Sequence, residues 1–223
     1  EGAQAIARDL GGAPRDREPN ADEQAMVQAV ADFILPWGRK AMGVMAAGPD
    51  HQEKLRAEFA AFLKLLEAHY ATMPGLFGER LSMADLKILG AMKAHFISDS
   101  VARAFVEEHA PGLIRWTDRT WERVDNGEVW LAGDAIPETL EPLFPLLLDG
   151  FGVFLPENRR AVEAGEKWTE FKLAGQPLRI LTRPDAEKAR QAIMAEIASM
   201  PAGDAKAARA ALASRGLLFL YED

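Results

Sequence analysis

The chain has 223 residues, of which 48% are hydrophobic, enough to bury a core as one large domain or as a domain with an appendage. Its 34 acidic and 26 basic residues give a net charge of -8, which argues against nucleic acid or an anionic membrane as a partner. The lack of cysteine excludes disulfides, thiolate metal sites and a cysteine nucleophile within these residues. No apolar run reaches the roughly 18 residues of a membrane span, so we expect a cytoplasmic protein. We also expect no metal site.

The first part of the chain predicts a linker followed by helices. Residues 11–20 are polar and contain glycine and proline, the composition expected between two packed units. Helices are predicted over residues 22–47 and 51–71. Pro36 lies inside the first of them and is expected to kink it, because proline removes one backbone donor. A domain boundary is therefore expected within the linker.

Residues 76–85, LFGERLSMAD, predict the start of the next helix. Ser82 and Asp85 have the spacing of a capping box, in which the serine hydroxyl accepts from the backbone N–H three residues on and the acidic side chain accepts from the N–H of the serine. We expect one helix over residues 82–109, apolar enough to be buried. His95, within it, is interpreted as an interior histidine and not as a catalytic base.

The remaining sequence changes from a helical to an alternating pattern and back. Helices are predicted over residues 111–124 and, with proline interruptions, over residues 137–163. Residues 167–173 and 178–182 alternate apolar and polar side chains around a turn, which predicts a β-hairpin. Helices follow over residues 184–200 and 204–215. Residues 217–221 are apolar enough for a strand or a buried plug.

The order of these elements resembles the all-helical C-terminal domain of glutathione transferases. The resemblance rests on a long amphipathic helix, the turn at residues 73–75 and the helix opened by the Ser82 box, in that order. Pro111 and Trp116 resemble the segment in which a proline opens the next helix and a tryptophan packs its inner face.

This resemblance implies a mainly α fold with three parts. Residues 1–12 correspond to the end of a thioredoxin-like domain, and residues 21–164 to the helical domain. Residues 165–223 form a hairpin-and-helices extension that is expected to pack on the helical domain.

The stretch EGAQAIARDL, residues 1–10, resembles the start of the last helix of the thioredoxin-like domain in the same family. In that family an acidic residue and a serine hold the γ-glutamyl end of glutathione, so the resemblance implies glutathione as co-substrate, bound at Glu1 and Gly2. Gly2 stands in the serine position and lacks the hydroxyl, although its backbone N–H can still face a carboxylate. Asp9 replaces a tyrosine. The resemblance further implies that the rest of the thioredoxin-like domain, with the residue that activates the thiol, precedes Glu1, unless the chain is a natural remnant.

Phe33, Trp37 and Met45 are four or eight residues apart and roughly share a helical face. In the family, the corresponding helix lines the hydrophobic co-substrate pocket and part of the dimer interface. The resemblance therefore implies that these side chains contact a small hydrophobic molecule and that the protein is a homodimer. Core packing explains the three residues equally well.

Three functional hypotheses follow. The first is a glutathione transferase-like protein that uses the glutathione thiolate against a small hydrophobic electrophile. The second is a non-catalytic protein of the same fold that binds an apolar ligand or serves as a dimeric scaffold, consistent with Gly2 and Asp9 departing from the motif. The third is a helical interaction module unrelated to glutathione. No catalytic residue is identified within these residues.

Overall fold

The computed structural model describes residues 7–14, 16–44, 49–123, 129–133, 135–173 and 175–222. It is mainly helical, as predicted. A helical turn at residues 7–10 precedes the elements α1 (Ala21–Val44), α2 (Pro49–Tyr70), α3 (Met83–Ala91), α4 (Ser100–His109), α5 (Pro111–Trp121), α6 (Leu143–Leu147), α7 (Val153–Glu163), β1 (Trp168–Leu173), β2 (Gln176–Leu181), α8 (Pro184–Ser199) and α9 (Ala202–Ser214). Short π-helical or 3-10 segments lie at Met92–Ile97, Glu138–Leu140, Leu148–Gly152 and Leu218–Tyr221.

The chain divides into two compact units. The first consists of Glu1–Met42 and Gln52–Glu141, and the second of Gly43–His51 and Pro142–Asp223. Residue 165, the predicted start of the extension, lies inside the second unit. The helix before it, α7, belongs to the same unit because it packs against β1 and α8. The three-part domain organisation itself stays a prediction.

The core of the first unit is formed by α2, α3, α4 and α5. On α2, the spacing of Leu63, Leu66 and Tyr70 places them on one helical face, and all three are buried. The other buried members of this core are Leu76, Leu89, Met92, Ile97, Val106, Ala110, Leu113, Ile114, Trp116 and Leu140. Phe59 adds an aromatic contact with Phe96, with ring centroids 4.9 Å apart.

The single helix predicted over residues 82–109 is divided, so that prediction is wrong. After α3 the chain passes through the π-helical segment Met92–Ile97 and leaves the helical conformation at Asp99, which has φ -92° and ψ 124°. The Asp99 carboxylate then accepts from the N–H groups of Val101 and Ala102 and caps α4. Aspartate favours this N-cap position over a helix interior, which explains the break. His95 is exposed, so its interpretation as an interior histidine is also wrong.

The second unit contains the predicted β-hairpin. β1 and β2 pair antiparallel, with Thr169 opposite Ile180 and Phe171 opposite Leu178. The buried side chain of Asn158, on α7, attaches the hairpin to the helix: its Oδ1 accepts from the Arg183 N–H (2.7 Å) and its Nδ2 donates to the Arg183 carbonyl (3.0 Å). One amide side chain therefore satisfies both backbone groups of the residue that leads from β2 into α8.

Residues 217–221 form a partly buried plug and not a strand. They contain the 3-10 helix Leu218–Tyr221, and Leu217 and Leu220 are buried against Leu155 of α7. Gly216, with φ 70°, precedes the segment in the left-handed conformation that favours glycine.

One helical stretch among the described residues, Glu138–Glu163, is long and apolar enough to cross a membrane by length and composition alone. Three prolines interrupt it, and it is built from separate 3-10, α and π segments. A single stretch of this kind is weak evidence for a membrane span, because core helices of other proteins pass the same test.

Candidate functional site

α3 begins with the capping box that the spacing of Ser82 and Asp85 predicts. The Ser82 Oγ accepts from the Asp85 N–H (3.2 Å), and the Asp85 Oδ2 accepts from the Ser82 N–H (2.7 Å). The Ser82 hydroxyl also donates to the same carboxylate oxygen (2.6 Å). Two backbone donors at the start of the helix are thereby satisfied.

Asp85 does more than cap the helix. Its side chain is fully buried, and its Oδ1 accepts from the Tyr70 hydroxyl (2.9 Å) and from the Leu76 N–H (2.8 Å). The carboxylate thus joins the end of α2, the following turn and the start of α3. Burial, and then the negative charge of Asp85, raise the pKa of Tyr70, so the tyrosine stays protonated as the donor.

The turn between α2 and α3 is held from α5 as well. The ring of Tyr70 stacks on the ring of Trp116 with centroids 3.9 Å apart and planes 16° apart, and the Trp116 Nε1–H donates to the Pro74 carbonyl (2.8 Å). A Cβ added to Gly75 would lie 2.9 Å from the Arg80 carbonyl oxygen, closer than such atoms pack. The glycine at position 75 is therefore required by the tight turn.

His69 completes this buried network. Its side chain is fully buried, with Nε2 3.1 Å from the Gly75 carbonyl oxygen and Nδ1 2.7 Å from the Thr139 Oγ1. Because a carbonyl only accepts, the neutral ring carries its proton on Nε2 and accepts the Thr139 hydroxyl proton at Nδ1. Burial lowers the pKa of His69 and favours this neutral form, and Asp85 opposes that shift. With both nitrogens engaged, His69 is a structural residue.

α1 has a capping box of its own, which sequence reasoning missed. The Asn20 Oδ1 accepts from the Glu23 N–H (2.9 Å), and the Glu23 Oε2 accepts from the Asn20 N–H (2.8 Å). Arg17 makes two further hydrogen bonds to the Glu23 carboxylate and, as the largest influence, lowers the pKa of Glu23 to about 2. The Asn-x-x-Glu spacing was the signal for this cap.

Asp9 has a structural partner. Its Oδ2 accepts from the Ser100 N–H (3.0 Å) at the start of α4, next to the Asp99 cap. Helix N-termini attract carboxylates, so this bond attaches the turn at residues 7–10 to α4. Ala7 in the same turn is fully buried. Asp9, which replaces a tyrosine in the family motif, therefore helps to hold this turn against α4.

The residues predicted to bind ligands are only partly described. Phe33 and Trp37 lie on α1, four residues apart, and remain 74% and 63% exposed. Met45 lies outside the described residues, as do Glu1 and Gly2. The structure therefore leaves two large aromatic side chains on one turn of α1 in solvent, and the roles predicted for all five residues stay predictions.

The Glu107-Glu108-His109 run at the end of α4 has separate partners. Glu107 pairs with Arg103 (2.8 Å), and His109 packs edge-on against Phe105 with centroids 4.3 Å apart. Within the described part of the chain, no three histidine, aspartate or glutamate side chains lie close enough together to hold a metal ion.

A cleft of about 460 Å³ lies in the first unit, where α2 and α5 end. Its lining consists of Tyr70, Ala71, Thr72, Met73, Pro74, Arg119, Thr120 and Arg123. The Arg123 Nη1 donates to the Glu79 carbonyl (3.1 Å), which fixes that side chain at the rim. No sequence motif predicted this cleft, because its two halves are more than forty positions apart.

The fold and its capped core helix define a helical domain in which the Ser82/Asp85 box, with its buried aspartate, holds the turn between the long helix α2 and the nine-residue helix α3. Residues 30–123 match the family model of the glutathione S-transferase C-terminal domain. This part of the chain thus resembles the glutathione S-transferase family, as the sequence predicts. Comparison with curated proteins and with solved structures gives no match.

Proposed function

We propose that the chain is a glutathione transferase-like protein whose helical domain holds a small hydrophobic electrophile for attack by a glutathione thiolate. The observation that carries the proposal is the family match over residues 30–123, together with the capped core helix inside that range. In this reaction the thiolate sulfur forms a bond to an electrophilic carbon, and the leaving group departs with its electron pair. The contribution of the helical domain is to position the electrophile.

The exposure of Phe33 and Trp37 supports the proposal that the electrophile binds against α1. Burying a large apolar side chain is worth roughly 1.5–3 kcal/mol, and both rings are mostly in solvent. An apolar molecule placed against them recovers part of this free energy, and small-molecule sites are lined mainly by apolar and aromatic side chains.

Titration calorimetry with glutathione and with S-hexylglutathione tests the proposal. Because Gly2 lacks the serine hydroxyl, glutathione is expected to bind weakly, and Gly2→Ser is expected to tighten binding by a few-fold to about tenfold. S-hexylglutathione should bind more tightly than glutathione, and Trp37→Ser should remove that advantage. Met83→Ser is the matched control, since Met83 is a similarly exposed apolar side chain on another helix. Equal binding of the two ligands, or equal loss in both variants, would contradict the proposal.

The exposed α1 aromatics also favour a second candidate, a non-catalytic dimeric scaffold. Phe33 and Trp37 then face a second copy of the chain, and burial between the copies replaces ligand contact. Analytical ultracentrifugation separates the two candidates: a dimer that Trp37→Ser dissociates, in a protein without S-hexylglutathione binding, supports the scaffold. A homodimer that binds S-hexylglutathione supports the transferase.

A further inference from the structure

The cleft at the ends of α2 and α5 lies on elements other than α1, which carries the predicted ligand residues. One wall follows the end of α2 through residues 71–74, and the other comes from the last turn of α5 and from Arg123. The stacked Tyr70 and Trp116 rings keep the two helix ends side by side. The hydrogen bond from Trp116 to Pro74 fixes the first wall against α5. The ring stack and this hydrogen bond therefore hold the two walls of the cleft together.

The charged side chains that line this cleft are both positive. Each helix C-terminus contributes about half of a negative charge, so the two helix ends together supply roughly one. The guanidinium groups of Arg119 and Arg123 oppose this negative charge. Asp118, next to Arg119, pairs with Lys93 (3.0 Å). Glu122 and Arg119 are both exposed, so water and salt screen both of their charges.

The spacing of the two arginines suits one ligand group. Arg119 lies in the last turn of α5 and Arg123 lies two residues past its end, and both line the cleft. Arg123 is anchored through Glu79, and Arg119 is exposed and forms no ion pair with any residue that the structure describes. A guanidinium presents paired N–H donors that match the two oxygens of a carboxylate.

The rest of the lining is mostly apolar. Tyr70, Ala71, Met73 and Pro74 contribute apolar surface to the cleft. A fully hydrated anion gains nothing from such a wall, whereas a carboxylate attached to an apolar body gains burial as well as the ion pair.

We propose that this cleft binds a small organic carboxylate with an apolar body, with Arg119 as the main contact of the carboxylate and Met73 and Pro74 against the apolar part. The site is separate from the one proposed for glutathione and its co-substrate, and it does not depend on that function. Benzoate serves as the probe. Benzyl alcohol is the matched neutral compound, and inorganic phosphate is the anion without an apolar body.

Amide chemical shifts recorded during titration of the intact chain test the site. Benzoate should shift the amides of residues 71–73 and 119–123 saturably, and benzyl alcohol and phosphate should bind at least about tenfold more weakly. Arg119→Gln should weaken benzoate at least about tenfold, the effect of losing a charged hydrogen-bond donor. Arg115→Gln, one turn earlier on the same helix and outside the cleft, should leave the affinity unchanged. Trp37→Ser should also leave it unchanged, which separates this site from the proposed function.

Three results would overturn the proposal. The first is the absence of saturable shifts at these amides with benzoate. The second is an equal loss of benzoate affinity in Arg119→Gln and Arg115→Gln, because an equal loss would show a general effect of charge and not a contact with Arg119. The third is phosphate binding as tight as benzoate binding, since the apolar wall then plays no part. Because Arg115 and Arg119 are both exposed, the Arg115→Gln and Arg119→Gln variants should retain the thermal melt of the parent protein.

Discussion

Tyr70 and Asp85, fifteen positions apart, share a buried hydrogen bond of 2.9 Å that ties the last residue of α2 to the first turn of α3. The same carboxylate accepts from Leu76 and twice from Ser82, so four donors depend on one side chain. A capping carboxylate usually serves its own helix. Here it also fixes the preceding turn, and the stability of the first unit therefore depends on it.

Asp85→Ala should lower the free energy of unfolding by at least about 3 kcal/mol. Loss of an N-cap interaction costs about 1 kcal/mol, and each buried donor left without an acceptor adds roughly 1–3 kcal/mol. The Tyr70 hydroxyl and the Leu76 N–H are such donors. Urea denaturation followed by far-UV circular dichroism measures the change.

Ser82→Ala is the control for the cap alone and should cost only about 1 kcal/mol. Tyr70→Phe combined with Asp85→Ala isolates the link across the turn. The double variant should be less destabilised than the sum of the single variants, because the phenylalanine leaves no unsatisfied hydroxyl. Strict additivity would show that the Tyr70 bond contributes nothing to stability.

Asn158→Ala should destabilise the second unit by about 1–3 kcal/mol, because the Arg183 N–H loses its acceptor, while the Arg183 carbonyl keeps the Ala186 and Glu187 N–H groups as donors. Hydrogen exchange is the suitable measurement, since β1 and β2 should exchange faster while α2 and α5 keep their protection. Arg160→Ala, on the same helix in exposed ion pairs, should change little. Unchanged protection of the hairpin would contradict the role given to Asn158.

Local signals in the sequence predicted the helices, the hairpin and the Ser82 cap. The capping box and the alternating strands depend on neighbours a few positions apart, so the sequence displays them directly. The break at Asp99 was missed because an apolar pattern continues on both sides of it. Its signal was the aspartate itself, which favours an N-cap.

Long-range contacts were beyond local reasoning. The partners of His69 include Thr139, seventy positions away, and the Trp116 indole reaches Pro74 across forty-two. No spacing rule connects such residues, since the fold alone brings them together. The cleft at Arg119 was hidden for the same reason. The reverse error was made at His95, whose position within an apolar stretch suggested burial that the π-helical segment does not provide.

The stability of the first unit should fall as the pH drops below about 6.5, in part because of His69. Its pKa in the folded state is lowered by burial, whereas the unfolded histidine titrates near 6.5. Between the folded and the unfolded pKa the unfolded chain binds more protons, so acid favours unfolding, by at most about 1.4 kcal/mol per pH unit for this one group. Above pH 7 both states are neutral and this contribution is constant.

His69→Gln keeps a donor and an acceptor but removes the titrating group. Free energies of unfolding measured at pH 5 and pH 7.5 should therefore differ less in this variant than in the parent protein. His95→Gln, at an exposed histidine, should leave the difference unchanged. A parent protein and a His69→Gln variant with the same pH dependence would show that His69 is protonated in both states or in neither.

The segment of residues 217–222 should be required for the second unit. Leu220 is only 3% exposed within the apolar cluster, whereas its neighbour Phe219 is 52% exposed. The buried Arg190, in an ion pair with Glu187, also donates to the carbonyls of Leu220 and Glu222. Deleting residues 216–223 therefore uncovers apolar surface and removes acceptors from a buried guanidinium.

We expect this deletion to cause aggregation or a clearly lower melting temperature. Leu220→Ala should cost about 2–4 kcal/mol, and Phe219→Ala, which leaves the apolar cluster intact, less than about 1 kcal/mol. The two substitutions remove side chains from adjacent positions, so the contrast between them reports burial and not proximity to the end of the segment. A truncated protein that stays soluble with an unchanged melt would show that residues 217–222 do not stabilise the second unit, and their apolar side chains would then point to contact with a partner.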